Sequence, residues 1–262
     1  MAEEMDLDDV WVLCRDVLEN GAPLQLNDEM RALLSRTAQQ VAISQQDAED
    51  ALRSHSTAMT LLREIHRRIG EGSNRLDEAR DRVNELQQQG DFDRAQQVMR
   101  DVLAVEIVPF YREQAERTLK KSAGLAEVLA TGRLNPNLPD RPQLAVVAQR
   151  LQRGHALELT DDLRDLLRRT APTAGASETE TEKALESPKG AEALMGMVLS
   201  RFRDAQSRFL RAMLRMTSLR DAGDLEGARQ QMRDVLAMEV VPRFRQAAEE
   251  QLRGLDRPPP ES

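Results

Sequence analysis

Residues 90–109 read GDFDRAQQVMRDVLAVEIVP. This stretch returns at residues 223–242 as GDLEGARQQMRDVLAMEVVP, at an offset of 133 residues (223 − 90). Applied without a gap, the same offset matches about 40 of about 102 positions between residues 18 and 119, far more than shared helical composition gives. The chain is therefore a tandem duplication of one unit.

Each copy of this stretch opens with a Gly-Asp pair that predicts a tight turn between two helices. Glycine is the usual residue just past a helix end, and an aspartate can cap the next helix at once. So short a connection folds the two helices back on each other as an antiparallel hairpin. Pro109 and Pro242 lie within the returning helix and should kink or divide it.

The residues before each turn predict a long helix. Apolar residues step by alternating threes and fours from Ala58 to Leu86, and again from Ala191 to Leu219, which is the heptad spacing of coiled-coil packing. Either the returning helix or a second molecule can fill this apolar stripe. The returning helix is itself broadly apolar, so we favour packing within the hairpin, with self-association through the remaining faces as the open alternative.

Shorter helices are expected ahead of each hairpin, where capping side chains mark their starts: Asn27, Ser44, Thr160 and Ser177. In the second copy Pro172 and Gly175 interrupt the preceding helix, which should end earlier there than in the first copy.

These patterns predict an all-α protein of two tandem helical domains, each with short N-terminal helices followed by a long antiparallel helical hairpin. The expected divisions are a first unit at residues 5–128, a proline-rich linker at 129–142, a second unit at 143–256 and a disordered tail at 257–262.

Composition narrows the function classes. Only 3% of the 262 residues are aromatic, which argues against an all-β fold. The net charge of −8 disfavours binding to nucleic acid and to anionic membrane surfaces. One cysteine excludes an internal disulfide framework. No run approaches 18 apolar residues and the first residues are acidic, so we expect a cytoplasmic protein that does not enter membranes.

The residues best suited to catalysis are not repeated. His55, His66 and His155 each face a different residue type at the offset of 133, and Cys14 lies in an apolar stretch typical of a buried thiol. The sequence has no glycine-rich phosphate-binding loop of the kind that follows a β-strand. We therefore predict no catalytic, cofactor-binding or metal-binding residues.

One polar pattern does repeat. Arginines seven residues apart border the apolar stripe of both long helices, at Arg68, Arg75 and Arg82 and again at Arg201, Arg208 and Arg215. Counting outward from the turns puts Arg75 opposite Glu106 and Arg208 opposite Glu239. Each glutamate stands in an apolar run, so we hypothesise partly buried ion pairs that fix the hairpin register. The functional alternative is an anion site at the arginine row.

Several stretches together resemble the DUSAM domain family of myxobacteria, paralogous proteins of unknown function. They are LENGAPLQL at residues 18–26, AIS at 42–44, LLREI at 61–65 and the run from residue 90 to 112. The resemblance covers both copies, although the second has TAGA at residues 173–176 where the first has QVAI. It implies a bacterial protein, and it supplies neither an activity nor catalytic residues.

The sequence thus favours a non-enzymatic interaction or scaffold protein that meets protein partners, or itself, through exposed helix faces. The alternative is an enzyme or small-ligand sensor with a pocket between the short helices and the hairpin. A catalytic site requires titratable side chains that converge in a pocket, whereas an interaction surface requires an exposed apolar patch.

Overall fold

The computed structural model describes residues 8–256, and every regular element in that range is a helix. The all-α prediction is confirmed. The chain divides into two compact units, Met1–Ala126 and Glu127–Ser262.

The first unit has a long hairpin behind short helices, in the order α1 (Asp8–Cys14), α2 (Asp28–Gln40), α3 (Gln45–Ala51), α4 (His55–Gln89), α5 (Phe92–Val105) and α6 (Pro109–Thr131). A π-helical turn at Arg15–Glu19 continues α1, and the last residues of α6 lie beyond the division between the units.

The second unit repeats this order with α7 (Asp140–Gln152), α8 (Asp161–Thr170), α9 (Glu178–Ala184), α10 (Pro188–Asp221), α11 (Leu225–Met238) and α12 (Pro242–Leu255). A 3₁₀ turn at Pro172–Ala174 follows α8. The helix before it is shorter than α2, as the proline and glycine predicted.

The hairpin turns form as the Gly-Asp pairs predict. Gly90 ends α4 in the left-handed conformation at φ 75°, and the Asp91 side chain accepts a hydrogen bond from the backbone N–H of Arg94 at 3.2 Å. Asp224 caps α11 in the same way. The returning helix is divided rather than kinked, because Pro109 and Pro242 each begin a new helix, where a missing N–H costs nothing.

The apolar stripe of α4 is buried inside its own unit. Ile65, Ile69 and Leu76 are almost inaccessible and pack with Met99 and Val102 of α5. Burial of each large apolar side chain contributes about 1.5–3 kcal/mol, so this contact is the main stabilising feature of the hairpin. Packing within the hairpin is confirmed for this helix pair. In the second hairpin, Met216, Ala228 and Met232 form the corresponding core.

A glycine inside α4 admits an aromatic ring from α6. A Cβ atom on Gly72 would overlap Cδ2 of Tyr111, so only glycine fits there. The Tyr111 hydroxyl donates to the carbonyl of Ile69 at 3.1 Å. At the matching positions the second unit has Ala205 and Phe244. The glycine is therefore a packing residue and not part of a nucleotide-binding turn.

The predicted N-terminal caps are confirmed. The Asn27 side chain accepts from the N–H of Met30 at 2.8 Å, and Thr160 accepts from Leu163 at 3.3 Å. Ser177 forms a full capping box with Glu180, whereas Ser44 accepts from the N–H of Asp47.

The linker is shorter than the sequence predicted. Helix continues at both ends of residues 129–142, since α6 runs to Thr131 and α7 begins at Asp140. Pro142 does not exclude helix there because it occupies the first turn, where a proline is tolerated. The tail at residues 257–262 lies outside the described residues. No helix of residues 8–256 is both long enough and apolar enough to span a membrane.

Candidate functional site

Glu106 occupies the bend between α5 and α6 with its side chain 1% exposed. One carboxylate oxygen, Oε1, accepts hydrogen bonds from the backbone N–H groups of Ile107 at 3.0 Å and Val108 at 2.8 Å. These amides precede Pro109, at the positive N-terminal end of α6. The glutamate therefore acts as a cap for α6 from within the polypeptide bend.

The second oxygen of Glu106 takes a partner from a different helix. Arg75 of α4 donates Nη1 to Oε2 in a partly exposed ion pair. Because a carboxylate buried this deeply needs a cation and hydrogen-bond donors to be tolerated, the pair ties the long helix to the bend.

A third polar residue completes the bend and was not predicted as a site residue. Arg112 of α6 donates Nη1 to the carbonyls of Leu103 at 2.8 Å and Glu106 at 2.7 Å, which otherwise end α5 without partners. The signal that could have identified it is its recurrence as Arg245 at the offset of 133.

The second unit builds the same bend. Arg208 donates Nη2 to Oε2 of Glu239 at 3.0 Å, and Oε1 accepts from Val240 at 3.0 Å and Val241 at 2.9 Å. Arg245 ties the end of α11 as Arg112 ties α5. The structure thus brings together both pairs that the sequence proposed. That they fix the register of the hairpins stays a prediction.

The other arginines of the row in the first unit also have partners. Arg68 donates to the carbonyls of Val41 at 2.9 Å and Ala42 at 2.8 Å, and Arg82 lies 2.9 Å from Glu85. An anion would have to displace these contacts, so the first unit offers no ready anion site along this row.

The second row differs at one position. Arg201 donates to the carbonyls of Ala174 at 3.2 Å and Gly175 at 3.1 Å, so the turn at residues 173–176 keeps its anchor despite the change of sequence. Arg215 is exposed, and within residues 8–256 it makes neither an ion pair nor a hydrogen bond. Its counterpart Arg82 has Glu85, but Ser218 replaces that glutamate in the second copy.

A shallow groove runs between the two hairpin helices of each unit. In the first unit it has a volume of about 390 Å³ and is lined by Arg75, Glu78, Ala79, Val98, Asp101, Val102 and Val105. In the second it has a volume of about 370 Å³ and is lined by Arg208, Arg211, Ala212, Arg215, Gln231, Asp234, Val235 and Met238. Apart from Arg215, the two linings correspond position by position at the offset of 133.

Large apolar residues stand exposed on both sides of each buried glutamate. Val105 is 61% and Ile107 is 53% exposed in the first unit, and Met238 is 68% and Val240 is 50% exposed in the second. We call Val105 and Ile107, together with the residues that line the first groove, the first hairpin face. The second hairpin face consists of Met238 and Val240 together with the residues that line the second groove. Exposed apolar side chains at repeated positions are typical of contact surfaces.

Comparison with known proteins assigns a family. A family model described as "Protein of unknown function (DUF2379)" matches residues 5–122 and again residues 139–255. The chain belongs to this family. It carries two tandem DUF2379 copies, close to the predicted units of residues 5–128 and 143–256. No curated protein and no solved structure matches the chain.

The histidines of the two DUF2379 copies have different surroundings. His66 packs edge-on against Trp11, with ring centroids 5.6 Å apart, whereas His55 and His155 are exposed. Within residues 8–256 no group of three or more histidine, cysteine, aspartate or glutamate side chains is arranged to hold a metal ion. Cys14 is buried, and burial raises its thiol pKa to about 11, with a smaller contribution from Glu19.

A third groove, of about 290 Å³, lies beside Trp11 between α1, α4 and α6 of the first unit. Its polar groups bond to other protein groups: Arg80 donates to Gln114 at 2.9 Å, and Asp77 lies 3.8 Å from Arg80. Burial raises the pKa of Tyr111, which also lines it. Of the three grooves, this one lies between a short helix and the hairpin, where the sequence analysis placed the pocket of a small-ligand sensor or enzyme.

Proposed function

We propose that the protein is a non-enzymatic interaction or scaffold protein whose hairpin faces contact protein partners. The observation that carries the proposal is the repetition of the exposed apolar pair, Val105 with Ile107 and Met238 with Val240, around a buried and fully bonded glutamate. A bend held by Arg–Glu pairs presents these side chains on a rigid support, which lowers the entropic cost of binding.

The polar groups of the bend support the same proposal. The carboxylates of Glu106 and Glu239 are saturated by an arginine and two backbone amides each, so they serve the architecture rather than a bound substrate. The arginine and methionine side chains of the second hairpin face are also types that are enriched at protein–protein interfaces.

Affinity capture from the cells that produce the protein tests the proposal. The bait is the full chain, compared with a double variant Val105→Asp and Met238→Asp, which places charge on both hairpin faces. The control is a variant Val12→Asp and Leu225→Asp, since these residues are exposed and apolar but lie off the faces. We expect partners that survive in the control and are lost from the face variant.

Two outcomes would contradict an interaction role. One is capture that is identical for all three baits. The other is recovery of no protein from any bait together with thermal stabilisation of the purified chain by a single metabolite in a ligand screen.

A small-ligand sensor is the second candidate, favoured by the groove beside Trp11. If it is correct, the same metabolite should quench the fluorescence of Trp11, the single tryptophan of the chain. The quenching should disappear in a Gln114→Leu variant.

We further propose that the DUF2379 copies are the DUSAM domains that the sequence resembles, which would make this a bacterial protein. The two tandem matches and the shared status of unknown function support the identification. The cytoplasmic location and the lack of nucleic-acid, cofactor and membrane partners remain predictions of the charge and composition.

A further inference from the structure

The two hairpin faces carry opposite charge although they derive from one ancestral unit. Arg75 and Arg208 are each neutralised by a buried glutamate. What remains on the first face is Glu78 and Asp101, both negative. What remains on the second is Arg211, Arg215 and Asp234, with a positive excess. The decisive change is Glu78 to Arg211 at equivalent positions.

The charges that differ are available for contact. Glu78 is exposed and forms no hydrogen bond or ion pair with any residue in the described range of 8–256. Arg211 is exposed, and among the described residues its one bond is to the carbonyl of Ser207 on its own helix, at 3.2 Å. Both side chains stand beside apolar residues, Ala79 with Val105 and Ala212 with Met238.

A two-fold interface packs the same surface of two molecules together, so each surface meets its own net charge. Two first faces would bring two negative surfaces together, and two second faces would bring two positive surfaces together, so both arrangements are repulsive. A first face on a second face brings the negative side chains Glu78 and Asp101 toward a surface with positive excess, and both surfaces carry exposed apolar side chains. Like charges exclude wrong partners and opposite charges select the right one.

We propose that the partner of the hairpin faces is a second copy of this chain, with the α4/α5 face of one molecule packed on the α10/α11 face of another. The contact joins two hairpins into a four-helix arrangement with apolar side chains between them and the Glu78–Arg211 pair across it. Because the two surfaces differ, the association is head-to-tail, and it forms a closed ring or grows as a chain. This inference rests on the proposed interaction function.

Sedimentation velocity of the purified full chain tests the inference over a wide range of protein concentration, at low and at high salt. We expect the average mass to rise with concentration, and to rise less at high salt, since screening weakens exposed charge pairs. Glu78→Arg and Arg211→Glu should each weaken the association by about tenfold, because like charges then face each other. The double variant, which exchanges the two charges, should restore it.

Mixing supplies a second test. Glu78→Arg places an arginine at the equivalent position of both faces of one chain, and Arg211→Glu places a glutamate at that position of both faces of another. Each variant alone should associate poorly, whereas an equimolar mixture should associate as the native chain does. Glu116→Arg on α6 and Arg203→Glu on α10 are matched controls, because both residues are exposed and neither lines a groove. They should leave the association unchanged.

The inference fails if the native chain sediments as a monomer at every concentration in low salt, or if the control variants weaken association as much as the face variants do. It also fails if the double variant does not recover. A monomer whose captured partners depend on Val105 and Met238 would overturn this inference and leave the proposed function standing. Self-association that is unchanged by the face variants would count against both this inference and the proposed function of the hairpin faces.

Discussion

At the residue scale, Glu106 joins three helices because its two oxygens take different partners. One caps the start of α6 through two backbone amides, and the other receives Arg75 from α4. Its own backbone carbonyl, at the end of α5, is held by Arg112. The repetition of every one of these contacts in the second unit explains why the arginines and the glutamate persist while the histidines do not.

Arg75→Met should destabilise the protein by about 3–5 kcal/mol, because it leaves a buried carboxylate without its cation. Arg82→Met, on the same helix, should cost less than about 1 kcal/mol, since the Arg82–Glu85 pair is mostly exposed. Urea unfolding followed by circular dichroism measures both free energies. Equal losses of unfolding free energy in the two variants would show that the buried pair stabilises the protein no more than the exposed pair does.

Gly72→Ala should destabilise the protein by about 1–3 kcal/mol, because its methyl group would overlap the ring of Tyr111. The control lies two residues away on the same helix. A Cβ on Gly70 meets no atom within 4 Å, so Gly70→Ala should stabilise the helix by up to about 1 kcal/mol. Thermal unfolding should move in opposite directions for the two variants, and movement in the same direction would contradict the packing argument.

At the scale of elements, the turn before α3 and its counterpart before α9 share one backbone shape with different residues. Ala42 has φ 63° and Gly175 has φ 76°, both left-handed. Arg68 and Arg201 of the long helices hold the carbonyls of these turns. The shape is therefore set by the long helix that anchors it, and the residue at the turn adapts to it.

Ala42→Gly should stabilise the protein by about 0.5–1 kcal/mol, because an alanine is strained at positive φ and a glycine is not. Gly175→Ala should destabilise by more than that, since its Cβ would also lie 2.5 Å from the carbonyl oxygen of Val240. The urea midpoints of the two variants measure the difference. A neutral Gly175→Ala would mean that the contact with the second bend relaxes freely.

At the scale of the whole molecule, the duplication kept the scaffold and changed the surface. The bends and the capped turns recur, whereas the charge between the hairpin helices is reversed by Glu78 and Arg211. Core positions are constrained by packing density, but exposed positions are free to diverge. The two copies of one chain therefore present different charges on the same scaffold.

Cys14, the single cysteine, reports on the opening of the first unit. At pH 8 its thiol should not react with an aromatic disulfide reagent in native buffer, because it is buried and its pKa is raised to about 11. Reaction should become fast once urea unfolds the chain. Complete labelling within seconds in native buffer would contradict the packing of α1.

The same group gives a pH dependence. Since the folded thiol keeps its proton to higher pH than the unfolded thiol, the unfolded chain binds fewer protons in that interval. The free energy of unfolding should therefore fall as pH rises from the ordinary thiol pKa toward about 11. A Cys14→Ala variant should lack this component, which unfolding curves at pH 8 and pH 10 would measure.

Much of the fold follows from local sequence. The Gly-Asp pairs, the capping residues and the heptad spacing located the turns, the helix starts and the long helices, because each depends on a few neighbouring residues. Helix extends into both ends of the linker predicted at residues 129–142. A proline in a first helical turn looks the same in sequence as one in a loop.

The candidate site likewise has features that local sequence predicts and features that it does not. The repeated sequence was enough to predict the tandem architecture and the pairing of Arg75 with Glu106, because a hairpin of known turn fixes which residues lie level. No sequence pattern predicted that Glu106 also caps α6, that Arg112 holds the end of α5, or that Glu78 and Arg211 stand exposed beside apolar grooves. These depend on how α6 leaves the bend and on which side chains remain uncovered, and such long-range packing is not encoded in any local spacing.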